Sequence, residues 1–221
     1  MVLWRLRYRL TLRDLAEMFL VRGIVFSYEA VREWEAKLAP VLADELRQRR
    51  RGRSGAGRRH WYVDETYLKV RGRWCYLYRA IDRDGNLIDT MLSEHRDMAA
   101  AQAFFRSVKA VTGLTPDQVT TDGHGSYPRA IRSTLGRDVE HRTSGYKNNR
   151  LEQDHLGVKG RTRCMRGFKS FASAERFCRS YDELRNFLRP CTRHNQYVSA
   201  RRRRLLHLRR ASSVLAILKA A

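Results

Sequence analysis

Between residues 61 and 95 three β-rich runs follow one another across two short turns, and few folds accommodate that succession. The runs are "WYVDETYLKV", "RWCYLYRAID" and "NLIDTMLSEH", each rich in aromatic and β-branched residues. "RGR" joins the first pair, and "RDGN", containing the hairpin dipeptide Asp84-Gly85, joins the second. Connections this short imply antiparallel pairing. Downstream, "DMAAAQAFFRSVKAVTG" predicts a helix capped by Asp97 and closed by Gly113. "DQVTTDG" predicts a short strand ending at Asp122, "SYPRAIRSTLG" a helix, and "DVEHRTS" a further strand. A helix opens at "NNRLEQDHLGVKGRTR", weakened by Gly157 and Gly160, and "FASAERFCRSYDELRNFL" predicts a long one with Phe171, Phe177, Tyr181, Leu184 and Leu188 inward. Three antiparallel strands followed by alternating helices and strands form the layout of a ribonuclease-H-like α/β domain, a mixed five-stranded sheet with helices.

The first strand carries a puzzle. Asp64 and Glu65 stand at the centre of "HWYVDETYLKV", where an isolated carboxylate is costly unless paired, hydrogen-bonded or bound to a metal. Strand alternation puts Val63, Glu65 and Tyr67 on one face and Tyr62, Asp64, Thr66 and Leu68 on the other. Only one of the two carboxylates can therefore belong to a single site, and periodicity does not choose between them.

Upstream, "TLRDLAEMFLVRG" places Leu12, Leu15, Phe19 and Leu20 at helical spacing, with Thr11 and Asp14 as a capping box and Gly23 as terminator. Ser27 caps a second helix, "YEAVREWEAKLAPVL", with Ala30, Val31 and Trp34 on one face. Helix, glycine-containing turn and capped helix make a helix-turn-helix, whose second helix enters the DNA major groove. Tyr28, Glu29, Arg32 and Glu33 are its exposed candidates, with Tyr28 and Arg32 as DNA contacts. An ordinary helical hairpin has the same local pattern; the charge favours the DNA reading. Among 221 residues, 45 Lys and Arg against 23 Asp and Glu give a net charge of +22, which points to a polyanionic partner. The expected division is a helix-turn-helix at 1–46, a basic linker at 47–60, a catalytic domain at 61–199 and a basic tail at 200–221 ending in an amphipathic helix. No apolar run is long enough to span a bilayer and no signal peptide opens the chain, so a cytoplasmic address is expected, nucleoid-associated when DNA is bound. Cys75, Cys164, Cys178 and Cys191 form no CxxC pair, so structural zinc is not expected and the thiols read as reduced.

Three carboxylates far apart in sequence converge in such a sheet. Asp64 lies within the first strand, Asp122 at the end of the fourth, and Glu152 in the first turn of the following helix. If the first and fourth strands are neighbours, both aspartates project toward one edge and the helix supplies the third oxygen ligand. Hard divalent cations, Mg2+ or Mn2+, take such ligands. Two ions about 4 Å apart activate an attacking hydroxyl and stabilise a leaving oxygen. Each residue also has a structural reading: Asp122 as a helix cap, Glu152 as half of a capping box with Asn149. On the helix of Glu152, His155, Leu156 and Lys159 share its face, while Asp154 faces away. Lys159 is placed to hold a DNA phosphate, and Lys147, Asn148, Arg150, Arg161 and Arg163 surround it with further donors.

The segments "WYVDETYLKVRGRWCYLYRAIDRDG", "TTDGHGSYPRAI" and "DVEHRTSGYKNNRLEQDHLGVKGRTRCMRGFKSF" closely resemble the bacterial DDE transposases of the IS-six family of insertion sequences. "LTLRDLAEMFLVRGIVFSYEAVREW" resembles that family's helix-turn-helix, so the likeness extends over roughly residues 4 to 190. The resemblance implies Asp64, Asp122 and Glu152 as the metal-binding catalytic triad, with Lys159 matching a basic residue seven positions after the glutamate. It selects Asp64 over Glu65. Two departures stand out. Asp122 and Glu152 are closer together than is usual in the family, the shortening lying between Tyr127 and Asp138. The chain also begins late relative to the family, which implies a clipped first helix in the DNA-binding unit.

The expected function is thus a transposase that binds the terminal inverted repeats of its element, cuts at the element end and joins the freed 3′-OH to a target strand. Its expected partners are double-stranded DNA and, through synapsis of two ends, a second copy of itself. A non-catalytic DNA-binding protein, decayed or repressive, is the main alternative. A metal-dependent nuclease without strand transfer is the third.

Overall fold

The structure, a computed structural model, describes residues 1–50, 59–144, 149–165, 167–189 and 198–221. The chain divides into two compact units, Arg50–Gly157 and the combination of Met1–Arg49 with Val158–Ala221.

In the sheet unit, β1 (His60–Val70), β2 (Arg73–Ile81), β3 (Leu87–Ser93), β4 (Gln118–Thr121) and β5 (Glu140–Thr143) form one sheet in the order β3-β2-β1-β4-β5. β1–β2 and β2–β3 are antiparallel, whereas β1–β4 and β4–β5 are parallel. The expected ribonuclease-H-like order, with first and fourth strands adjacent, is the one found. Arg71 and Gly72, both at positive φ (50° and 80°), close the first hairpin. Crossovers are supplied by α4 (Met98–Thr112) and α5 (Ser126–Thr134). Asp97 caps α4 by accepting from the Ala100 amide at 2.8 Å, and Gly113 ends it in the left-handed region, as the sequence predicts.

One face of the sheet makes the core. Trp61 and Val63 of β1, Tyr78 and Ala80 of β2, Ile88 and Val119 pack with Phe104, Phe105 and Val108 of α4 and Tyr127, Ala130 and Ile131 of α5. The period-2 alternation at the start of β1 thereby assigns Trp61, Val63 and, two residues on, Glu65 to the helix-covered face, whereas Tyr67 further along is exposed. Arg50, expected in the basic linker, is instead buried. Its guanidinium donates to the backbone carbonyls of Leu87 and Ile88, which anchors the entry to the sheet on β3.

The helical unit contains α1 (Val2–Arg7), α2 (Leu12–Leu20), α3 (Tyr28–Arg50), the end of α6 (Asn149–Thr162), α7 (Phe171–Leu188) and α8 (Ala200–Ala220). The Thr11–Asp14 capping box opens α2 and the Ser27 hydroxyl accepts from the Ala30 amide at the start of α3. Between them Gly23 turns the chain at φ 74°. A row of aromatics, Trp4, Phe19, Phe26 and Trp34, runs across α1, α2 and α3 with centroid separations of 5.4–5.6 Å.

The division differs from the expected boundaries in two ways. Residues 47–50 continue α3 rather than opening a linker. More consequentially, α7 and α8 fold with the N-terminal helices, not with the sheet. The reason is the apolar face of α7: Ala174, Phe177, Cys178, Tyr181, Leu184 and Leu188 are buried, and α7 packs on α1. The Arg5 guanidinium lies 5.7 Å over the Phe177 ring while its Nε donates to Glu35 at 2.8 Å. The Ser180 hydroxyl, fully buried, donates to the Ala39 carbonyl at 2.9 Å and so ties α7 to α3. Cys75, Cys164 and Cys178 are free thiols, and among the described residues no helix is long and apolar enough to cross a membrane.

Candidate active site

Parallel register brings the two aspartates together. Trp61 pairs with Val119 and Tyr62 with Thr120, so two residues further on Asp64 is level with Asp122, just past the last residue of β4. Asp122 therefore lies beyond the ladder, and the turn after it is steric in origin. Gly123 has φ +91°, and a Cβ there would stand 2.6 Å from Thr143 Cγ2. Only glycine lets the chain leave β4 this close to β5.

The Asp64 carboxylate is largely buried, with 17% of its side chain exposed. Its Oδ1 accepts from the Glu65 amide at 2.8 Å, and its Oδ2 stands 3.9 Å from Nδ1 of His155 on α6. Burial above all, then the charges of Glu65 and Asp122, push its pKa up to about 7. A carboxylate whose ionised form is disfavoured by burial and two neighbouring anions is stabilised by an added cation. Asp122 is more open: Oδ1 accepts from the His124 amide at 3.0 Å and Oδ2 from Arg96 Nη2 at 3.2 Å.

Glu65, on the opposite face of β1, has a defined place. Its side chain is only 3% exposed, on the core face across from Tyr78. Oε2 accepts from the Tyr127 hydroxyl and Oε1 from Arg96 Nε. Burial and the Glu65 charge push the Tyr127 phenol well above its ordinary pKa, which keeps it protonated as a donor. Arg96 thus bridges Glu65 and Asp122, and it precedes the α4 cap residue Asp97 directly.

The third expected carboxylate is not gathered with the first two. Glu152 is exposed on α6, whereas His155, three residues on, is buried against Asp64. Among the described residues no group of three or more His, Cys, Asp and Glu side chains could hold a metal ion. The aspartate pair fits a divalent cation in donor chemistry; the full triad does not assemble in this conformation.

Of the expected DNA contacts, Tyr28, Arg32 and Arg163 are exposed, with the Arg13 guanidinium 5.5 Å over the Tyr28 ring. Lys159 is half-buried, seven residues and so nearly two full turns after Glu152. Lys147 and Asn148 lie outside the described residues. Arg161 is a correction. At nine residues from Glu152 it projects from the other side of α6; it is 3% exposed and donates to the Arg5 carbonyl. Burial and the charge of Arg5 pull its pKa down to about 10. It braces the helical unit instead of presenting a phosphate donor. The residues to which the sequence assigned no role are Arg96, Tyr127 and His155, the last named only as sharing the helix face of Glu152. An acidic residue on a core face demands a buried donor set, and that signal for the first two becomes readable only once the helix-covered face is known.

The family model described as a DDE domain matches residues 58–190. The transposase for the insertion sequence-like element IS431mec of Staphylococcus aureus is 35% identical over 160 residues, covering 71% of this chain and 69% of that one. The transposase of IS257 in transposon Tn4003, also from Staphylococcus aureus, has the same identity and coverage. Among solved structures, the HTLV-2 integrase catalytic core domain in complex with magnesium, in its trimeric form, aligns with TM-score 0.42 and 13% identity over 67% of this chain and 95% of that one.

Proposed function

The chain belongs to the DDE transposases of bacterial insertion sequences, and from that premise we propose that it cleaves DNA at the ends of its own element and transfers the freed strand to a target. The observation that carries this reading is the juxtaposition of Asp64 on β1 with Asp122 just past the end of the adjacent parallel strand β4, with Asp64 held near neutrality by burial and by its acidic neighbours. Asp64, Asp122 and Glu152 would hold Mg2+ or Mn2+. Such ions, when bound, supply activation of the attacking oxygen and stabilisation of the leaving one. The protein's own contribution is orientation. Asp64 is fixed by the Glu65 amide and Asp122 by the His124 amide and Arg96. No covalent protein–DNA intermediate is required.

The helical unit would bind the terminal inverted repeats, with Tyr28 and Arg32 exposed at the start of α3, where a recognition helix meets base edges. Lys159 and Arg163 would contact phosphates. Two ends must be brought together, so the working form would be at least a dimer. The exposed position of Glu152, apart from the aspartates, favours one second reading, a DNA-binding protein that no longer cuts.

Incubating the protein with labelled element-end DNA, a plasmid target and Mg2+ or Mn2+ separates these readings. Joined product supports the transposase, cleavage without joining a nuclease, and binding alone the non-catalytic protein. Full joining activity in Asp64→Asn would overturn the site assignment.

A further inference from the structure

We propose that Glu65 is a positioning residue for the second aspartate, acting through Arg96: the ladder Tyr127–Glu65–Arg96–Asp122 fixes the carboxylate of Asp122 for metal binding. The inference rests on the DDE reading of Asp64 and Asp122, and it assigns a purpose to the acid next to the catalytic one.

Asp122 needs such support because the sheet does not provide it. β4 ends at Thr121, and the next residue but one, Gly123, turns the chain sharply away. A side chain at that point has its backbone outside the ladder and some 35% of its surface in water. Two contacts define its rotamer, the His124 amide at 3.0 Å on one oxygen and Arg96 Nη2 at 3.2 Å on the other. Each oxygen keeps a further lone pair for a cation. Arg96 in turn comes from the loop between β3 and α4 and is itself 35% exposed, so it must be anchored at its other end. Glu65 does this with its side chain almost wholly out of water. Both of its oxygens are committed, one to Tyr127 and one to Arg96. This orients the guanidinium plane, whose fork geometry suits two carboxylates at once. The donor side of the ladder is rooted in the core, since Tyr127 is fully buried on α5.

A field effect and a positioning effect make opposite predictions at Arg96. Removing a positive charge beside a cation site strengthens cation binding if only Coulomb forces count. Removing the group that fixes Asp122 weakens it. In the full-length protein, Mn2+ binding measured by titration calorimetry and by Mn2+ electron paramagnetic resonance should weaken about ten-fold in Arg96→Gln, the scale of outer-shell losses at metal sites. Glu65→Gln should weaken it to a similar extent. In the double variant the loss should equal that of Arg96→Gln alone, because Glu65 positions Asp122 only through Arg96. The double variant also removes the buried acid together with its partner cation. It should melt closer to the wild type than Arg96→Gln does while still binding Mn2+ poorly, which separates positioning from folding.

Asp64→Asn and Asp122→Asn serve as reference variants. If neither reduces Mn2+ binding, the DDE reading fails, and this inference with it. If both reduce it but Arg96→Gln binds Mn2+ as well as or more tightly than the wild type, the ladder alone is overturned. Additive losses for Glu65→Gln and Arg96→Gln also overturn it.

Discussion

Replacing Asp64 by Asn should stabilise the metal-free protein, with a pH dependence that identifies the cause. The carboxyl is raised from an ordinary value near 3.8 to about 7, chiefly by burial and then by the charges of Glu65 and Asp122. A raised acid binds its proton more tightly in the fold than in the unfolded chain. Its favourable contribution is therefore complete below the ordinary value, fades as pH rises through the window, and is gone above about 7, where the ionised form is forced on the native state. A displacement of roughly three pH units at 1.36 kcal/mol each sets a ceiling of about 4 kcal/mol. With 17% of the side chain in water, screening reduces this to about 2 kcal/mol. Asn has nearly the same shape, keeps an acceptor for the Glu65 amide and carries no charge. Native-state hydrogen exchange of the β1 and β4 amides in EDTA reports the sheet unit separately from the helical one. The variant should exceed the wild type by about 2 kcal/mol at pH 8 and the gap should close toward pH 4. Mg2+ should then narrow the difference at pH 8 by stabilising the wild type alone. A gap that is constant with pH, or a variant less stable than wild type at pH 8, would refute the electrostatic account of Asp64.

Three further outcomes follow from the geometry. Gly123→Ala meets Thr143 Cγ2 at 2.6 Å in a positive-φ position, so thermal unfolding should show a loss of about 1–3 kcal/mol. Adding Thr143→Ser, which removes that methyl, should recover the steric part and leave the backbone part. Phe104→Ala, at a fully buried centre of the α4 core, should cost about 3–5 kcal/mol in denaturant unfolding. Arg32→Ala, exposed on α3, should weaken binding to element-end DNA. If Arg32 contacts a phosphate, the slope of log affinity against log salt falls by about one; an unchanged slope with altered sequence preference assigns it to a base.

The sheet unit was legible in the sequence because its signals are local. Asp97 and Gly113 bracket α4 within one stretch, and the Asp84-Gly85 turn fixes a hairpin by itself. The choice between Asp64 and Glu65 was not legible, since alternation separates faces without saying which one helices cover. That is decided by α4 and α5, more than thirty residues away, packing over Trp61 and Val63. The membership of α7 was hidden for the same reason: its tie to α3, Ser180 to Ala39, spans 141 residues. Arg161 misled because a basic run reads as solvated surface, whereas the Arg5 carbonyl draws that guanidinium inward. For Glu152 the sequence places the residue in the first turn of α6, but its distance from the aspartates depends on how the helix is docked.

Because the helical unit takes its residues from both ends of the chain, the order of synthesis bears on when each part can work. The ribosome releases α1 to α3 first, yet the apolar face of α7 that covers α1 emerges only after the whole sheet unit has been made. The sheet unit is continuous in sequence and can close as soon as α6 begins. A product that stops before Phe171 would thus carry a complete sheet and three N-terminal helices lacking their cover. For this chain, early termination removes the cover of the N-terminal helices before it touches the acidic pair.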